Sequence, residues 1–179
     1  MSQVTTDTER VVREYLTVWN DRAYEKIPEV VAESFVMYDP WAIAGDLPGP
    51  RGEVHGRDGL EPFVRGVVAG FPDFHVEILD MFCEGDAAMY TGRIGLTHEA
   101  DFCWIPPTGR RCEFRYMGVI RVADGRVVEH RVYPPLLDIL DGFGFTSPAV
   151  VPYLPRLAWA AARQLGRSLR RRRIRHGTS

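Results

Sequence analysis

Four side chains in this 179-residue sequence could take part in proton transfer if the fold brought them together: the imidazole of His98, the carboxylates of Asp39 and Glu129, and the guanidinium of Arg131. Near neutral pH an imidazole can donate, accept or exchange a proton, which suits enolisation next to a carbonyl. Burial raises the pKa of a carboxylate toward the working pH and makes it an acid/base group, and a guanidinium can hold the oxyanion that enolisation creates. Side chains alternate across a strand, so Tyr90, Ile94, Leu96 and His98 share one face of the run that ends at His98. Farther on, Glu129, Arg131 and Tyr133 share a face opposed to Val128, His130 and Val132. The same alternation describes a strand with one solvated polar side. Asp39, in Tyr38-Asp39-Pro40, reads equally as a base and as the residue that begins a turn.

Other chemistries have no foothold. His55, His75 and His130 show no spacing, with one another or with carboxylates, that suggests a metal centre. A phosphate-binding glycine loop, a nucleophile elbow and a dinucleotide fingerprint are all missing, so neither metal nor cofactor is expected. Cys83, Cys103 and Cys112 are odd in number and widely spaced, which fits a reduced cytoplasm better than a disulfide framework. The first ten residues are polar and acidic, and no apolar run approaches 18 residues, so neither a signal peptide nor a membrane span is expected. The net charge of −2 hides an asymmetry: residues 156–179 hold eight arginines and no acid, leaving 14 basic against 24 acidic residues in the body. Such a body repels nucleic acid, and an anionic partner would meet the tail alone.

The elements that must position the reactive groups follow from periodicity. Thr6-Asp7-Thr8-Glu9 has the spacing of a capping box ahead of an amphipathic helix carrying Val12, Tyr15, Leu16 and Trp19. Ile27, Val30 and Val31 mark a second, short helix, and residues 35–41 a strand ending at Asp39-Pro40. Residues 42–56, rich in Gly and Pro, read as a loop long enough to rim a pocket. A third helix runs from about Asp58 to Gly70. Turn signals then separate four strands, at about 73–83, 86–98, 110–123 and 126–133, which make an antiparallel meander. Helices ahead of a long sheet predict an α+β layer arrangement of one domain, residues 1–145, followed by a basic extension, 146–179.

The landmarks Phe71-Pro72-Asp73, Glu84-Gly85-Asp86, Thr97-His98, Pro106-Pro107-Thr108-Gly109-Arg110, Asp124-Gly125 and Glu129-His130 fall in an order that resembles the SnoaL-like polyketide cyclases. That resemblance implies the cone-shaped α+β fold of the nuclear transport factor 2 superfamily, with N-terminal helices packed on a curved antiparallel sheet around one small-molecule pocket. It makes His98 the histidine of the family's Gly-Thr-His motif and puts Tyr38-Asp39-Pro40 at its His-Asp-Pro. After the last Asp-Gly turn the family reads Glu-x-Trp-x-x-x-Asp and then Gln-Leu-Gly. Here those places hold Glu129, Arg131, Pro135 and Gly142-Phe143-Gly144, so the usual catalytic carboxylate is missing. The family's Trp and Asp positions fall on the Glu129 face, which implies that Arg131 and Tyr133 face the pocket.

Two functions are therefore open. One is cofactor-free acid/base chemistry of cyclase, isomerase or lyase type on a hydrophobic carbonyl compound, with His98 as proton carrier, Asp39 or Glu129 as orienting carboxylate and Arg131 as oxyanion donor. The other is a non-catalytic protein binding a hydrophobic acid or lipid. Tyr38, Trp41, Tyr90, Trp104, Tyr116 and Tyr133 are the candidate ligand-binding side chains, and the aromatic rings among them serve equally as core. Proteins of this fold commonly dimerise through the outer sheet face, so a homodimer is expected. The arginine-rich tail reads as a basic amphipathic helix that could meet an anionic membrane or an acidic partner, or as a solvated terminus.

Overall fold

The computed structural model describes residues 3–42, 50–102, 105–146, 151, 153–156, 158, 159, 162 and 163. Helix α1 (Gln3–Asn20) turns Val11, Val12, Tyr15, Leu16, Val18 and Trp19 inward, as its apolar spacing requires. It starts before the expected capping box, and the Thr8 hydroxyl donates to the Gly85 carbonyl instead of capping the helix. A 3-10 turn (Tyr24–Lys26) leads into the short α2 (Ile27–Val30), and strand β1 (Val31–Tyr38) follows without a break. Within the expected loop of residues 42–56, a three-residue strand, β2 (Glu53–His55), pairs with β1, while residues 43–49 lie outside the described residues. Helix α3 (Gly56–Gly70) buries Leu60, Phe63, Val64 and Val67; no side chain caps it, and Glu61 pairs with Arg65 rather than closing a capping box.

The meander consists of β3 (His75–Glu84), β4 (Ala87–Thr97), β5 (Arg111–Ala123) and β6 (Arg126–Tyr133). Strand β1 adds to it in parallel alongside β6, giving one six-stranded sheet in the order β2-β1-β6-β5-β4-β3. Helices α1 and α3 cover its inner face, which makes the α+β layers expected from the element order. A further helix, α4 (Leu136–Gly142), was not legible, because its seven residues are too few for a helical period to stand out. It carries Ile139, with Phe143 following it, back against the inner face of the sheet. Residues 154–156, 158–159 and 162–163 are helical, and the arginine run 170–173 lies outside the described residues. No described helix is long and apolar enough to cross a membrane.

Register explains where two of the largest buried side chains sit. Tyr90 on β4 stands opposite Gly118 on β5, and Tyr116 on β5 stands opposite Gly92 on β4. Each ring occupies the space over the facing glycine: a Cβ built on Gly92 would come within 2.6 Å of Tyr116 Cε1, and one on Gly118 would collide with the Tyr90 ring. Gly118→Ala is accordingly expected to lower stability by about 1–3 kcal/mol through overpacking. Gly66→Ala, on the exposed side of α3 with nothing near its Cβ position, should raise it by roughly 0.5–1 kcal/mol. Urea unfolding of the two variants beside the parent checks both signs.

Candidate active site

Between α1, α3, α4 and the concave face of the sheet lies a cavity of about 80 Å³. Phe71, Phe74, Phe102, Phe114 and Phe143 form much of its wall, with Trp19, Trp41, Ile94 and Leu96. Among these apolar and aromatic groups stand Asp39, Tyr116 and His130. Such a lining suits an apolar ligand whose orientation is set by a few polar contacts.

Asp39 reaches the cavity because of the β1–β6 register. Tyr38 pairs with Arg131 on the outer face, so Asp39, one residue on, turns inward beside Val132. It also begins a turn: the Trp41 backbone N–H donates to Asp39 Oδ1 at 2.8 Å, and the Ala42 N–H donates to its carbonyl. The turn reading of this residue therefore holds. Among the described residues Oδ2 has no hydrogen-bond partner. Burial disfavours the charged form and raises the carboxyl from 3.8 to about 6, although the Trp41 N–H pulls the other way. Asp39 is the one carboxylate among the described cavity residues.

Behind the wall runs a chain of four hydrogen-bonding groups. Tyr116 donates to Tyr90 Oη at 3.3 Å, Tyr90 Oη lies 2.8 Å from His130 Nε2, and His130 Nδ1 lies 3.1 Å from Tyr15 Oη. Since Tyr90 receives the Tyr116 proton, its own proton goes to Nε2. The ring is then the Nδ1–H tautomer and donates to Tyr15. Burial holds the imidazole neutral, with its pKa pushed down from 6.5 to about 3, and burial also raises the three phenols well above their ordinary range.

The expected proton-transfer residues do not converge. His98 is buried, with its ring packed against Phe71 and Phe143 at centroid distances of 5.1 and 5.2 Å, and neither ring nitrogen has a hydrogen-bond partner among the described residues. Desolvation lowers its pKa, partly offset by the nearby Ala100 backbone and Asp101. Its backbone is fixed by the Arg110 carbonyl and the Gly109 N–H, so it anchors the turn at Pro106-Pro107-Thr108-Gly109. Glu129, Arg131 and Tyr133 correct the expected facing of β6: they lie on the outer side of the sheet, while His130 and Val132 line the cavity. The guanidinium of Arg131 donates to both Glu129 oxygens and sits 4.6 Å over the Tyr38 ring, also outside the cavity. That pairing raises the Arg131 pKa and lowers that of Glu129.

Of the expected ligand-binding side chains, Trp41 and Tyr116 line the cavity and Tyr90 lies behind Tyr116; Trp104 lies outside the described residues. Sequence reasoning passed over His130. Part of its signal was there, since His130 and Val132 alternate with Glu129 and Arg131, and their side faces the core; a register shift beyond Glu129 puts Val127 in the core in place of Val128.

Residues 9–141 match the SnoaL-like polyketide cyclase family. Among solved structures, wild-type IdmH from Streptomyces antibioticus, a proposed polyketide cyclase, is 28% identical, with 76% of this chain and 98% of that one covered at a TM-score of 0.66. AclR from Streptomyces galilaeus, a proposed hydroxylase, is 22% identical over 78% of this chain and 97% of its own, at 0.62. An M. tuberculosis LEH-like epoxide hydrolase is 19% identical over 78% and 90%, at 0.58. The last two similarities show the fold alone. No curated protein gives a match. With the helices, the curved sheet and the cavity between them in place and three quarters of its length matched, the chain belongs to the SnoaL-like polyketide cyclase family.

Proposed function

We propose that the protein is a cofactor-free acid/base enzyme acting on a hydrophobic, enolisable carbonyl compound, with Asp39 as the proton-transfer group. The supporting observation is one carboxylate with an unengaged oxygen on the wall of an otherwise apolar cavity, where burial brings its pKa to about 6. A carboxylate in such a place costs stability, and a site that only held an apolar molecule would have no use for it. Asp39 thereby replaces, from β1, the carboxylate lost at Pro135 just after the adjacent β6. The second reading, a binding protein for an apolar ligand, is favoured by the scarcity of polar groups on the wall.

The test is exchange of α-protons for deuterium, followed by NMR, over a panel of aromatic ketones and β-dicarbonyls. Exchange should be accelerated, should rise with pH through about 6 as Asp39 ionises, and should fall about 100-fold or more in Asp39→Asn. Exchange as fast in Asp39→Asn as in the parent would remove Asp39 from the role. Binding without acceleration anywhere in the panel would leave the binding protein.

A further inference from the structure

The four-membered chain behind the cavity wall contains four exchangeable protons, one on each of three tyrosines and one on a neutral histidine, but only three hydrogen-bonded links. When all three links run in one direction, one proton is left over at an end. In the arrangement described above it is on Tyr15, whose hydroxyl has no partner other than His130 among the described residues. The opposite arrangement uses the same four protons with the imidazole proton on Nε2: Tyr15 donates to Nδ1, Nε2 donates to Tyr90, and Tyr90 donates to Tyr116. The leftover proton then belongs to Tyr116.

Only one of these ends faces the cavity. Tyr116 lines it, whereas Tyr15 is fully buried. At 3.3 Å the Tyr116–Tyr90 link is also the longest of the three, beyond the usual range for two hydroxyls, so little is lost when the Tyr116 hydroxyl turns away. An oxygen atom in the cavity supplies the acceptor that Tyr15 lacks. The far end tolerates the change as well: Trp19 Nε1–H has no hydrogen-bond partner among the described residues and influences the Tyr15 hydroxyl, so it can donate to the oxygen that His130 no longer uses. Because each group in a reversed chain donates toward the cavity, the links polarise one another and strengthen the last donor.

We infer that Tyr116 is the hydrogen-bond donor for a ligand carbonyl or enolate oxygen, and that Tyr90, His130 and Tyr15 are positioning residues which reverse their hydrogen bonds, through the His130 tautomer, when that oxygen binds. This deepens the proposed function by supplying the oxyanion partner that Arg131, on the outer face, cannot be, and it rests on that reading only in taking the cavity as the ligand site. The ligand class that follows is a neutral aromatic ketone or phenol that gains negative charge on oxygen, not a carboxylic acid or phosphate, since no cationic side chain is among the described cavity residues.

The experiment uses 4-nitrophenolate as the oxyanion probe and nitrobenzene as a control of similar shape without the oxygen. The full-length chain carries Asp39→Asn, which removes the carboxylate that would repel an anion. Histidine labelled with ¹⁵N reports the tautomer, and the His130 signals are identified as those missing from His130→Gln. His130 should be the Nδ1–H tautomer when free and Nε2–H when 4-nitrophenolate saturates the protein. Adding Tyr116→Phe should weaken 4-nitrophenolate about 10- to 100-fold, the worth of a hydrogen bond to a charged group, and change nitrobenzene less than about threefold. Tyr90→Phe should weaken 4-nitrophenolate by a smaller factor and also abolish the tautomer change. An unchanged tautomer in the saturated protein, equal 4-nitrophenolate affinity with and without Tyr116→Phe, or loss of nitrobenzene in parallel with 4-nitrophenolate would each overturn the inference. If neither probe binds, the inference fails together with the cavity as a ligand site. If Asp39→Asn abolishes proton exchange while Tyr116→Phe leaves probe binding intact, only the inference fails.

Discussion

Asp39→Asn is expected to raise the stability of the protein at pH 7–8 by about 3 kcal/mol while removing its proton-transfer activity. In the folded chain Asp39 keeps its proton up to about pH 6, against 3.8 as its ordinary value. Between those two values the folded state holds a proton that the unfolded state has lost, so stability falls as pH rises through this window and stays lower above it. Asparagine carries no charge to desolvate, and its Oδ1 can still accept the Trp41 N–H, so the turn survives the substitution. The gain should shrink on acidification and be absent near pH 3, where the parent aspartic acid is protonated in both states. Urea midpoints for the two proteins at pH 3, 5 and 8 check this; an equal gain at all three would mean that relief of the buried charge is not the cause. Such a cost is what the proposed function entails, since stability traded for function is the usual pattern at active sites.

His130 should produce the opposite slope and a larger one. Its folded pKa of about 3 lies below the ordinary 6.5, because burial disfavours the imidazolium. Between those values the unfolded chain binds a proton that the folded chain refuses. Stability is therefore full above pH 6.5 and is lost as pH falls toward 3, by on the order of 4–5 kcal/mol. In the parent protein the Asp39 effect partly masks this loss between about pH 4 and 6, so Asp39→Asn should show the steeper acid dependence. His130→Gln keeps a donor and an acceptor for the two tyrosines and does not titrate. It should cost about 1–2 kcal/mol at pH 7 through poorer links to Tyr15 and Tyr90 and leave the Asp39 effect unopposed, so that stability rises as pH falls from about 6 to 4. Unfolding followed against pH for the parent, the single variants and the double variant separates the two groups; a double variant whose acid dependence is as steep as that of Asp39→Asn would assign the acid sensitivity elsewhere.

Both groups sit in a cavity whose composition was only partly legible. The strand faces of β4 could be read directly, since Ile94 and Leu96 alternate with half-buried positions and do face the cavity. On β6 the same rule gave two faces and no way to choose between them, and the polar one looked functional. The choice is made by the neighbour: β1 packs in parallel against β6 with Met37 beside His130 and Tyr38 beside Arg131, so the helices cover the His130 side. The parallel pair joins residues separated by some ninety positions, and local periodicity carries no information about it.

What the sequence by itself determined is the succession of elements and the family. Turn residues at Glu84-Gly85-Asp86, Pro106-Pro107-Thr108-Gly109 and Asp124-Gly125 set the hairpins, and apolar periodicity set the faces of α1 and α3 that meet the sheet. These are local effects, governed by φ preferences and by side-chain spacing within a few residues. Tertiary structure alone decided which polar groups share a cavity. It turned Asp39 inward, set Glu129 and Arg131 outside, packed His98 against two phenylalanines and joined Tyr116, Tyr90, His130 and Tyr15, from three strands and a helix, into one hydrogen-bonded chain. The physical reason is that the burial that moves a pKa and the distance that makes a hydrogen bond both depend on neighbours supplied by other elements, and those neighbours exist only once the sheet has closed over the helices.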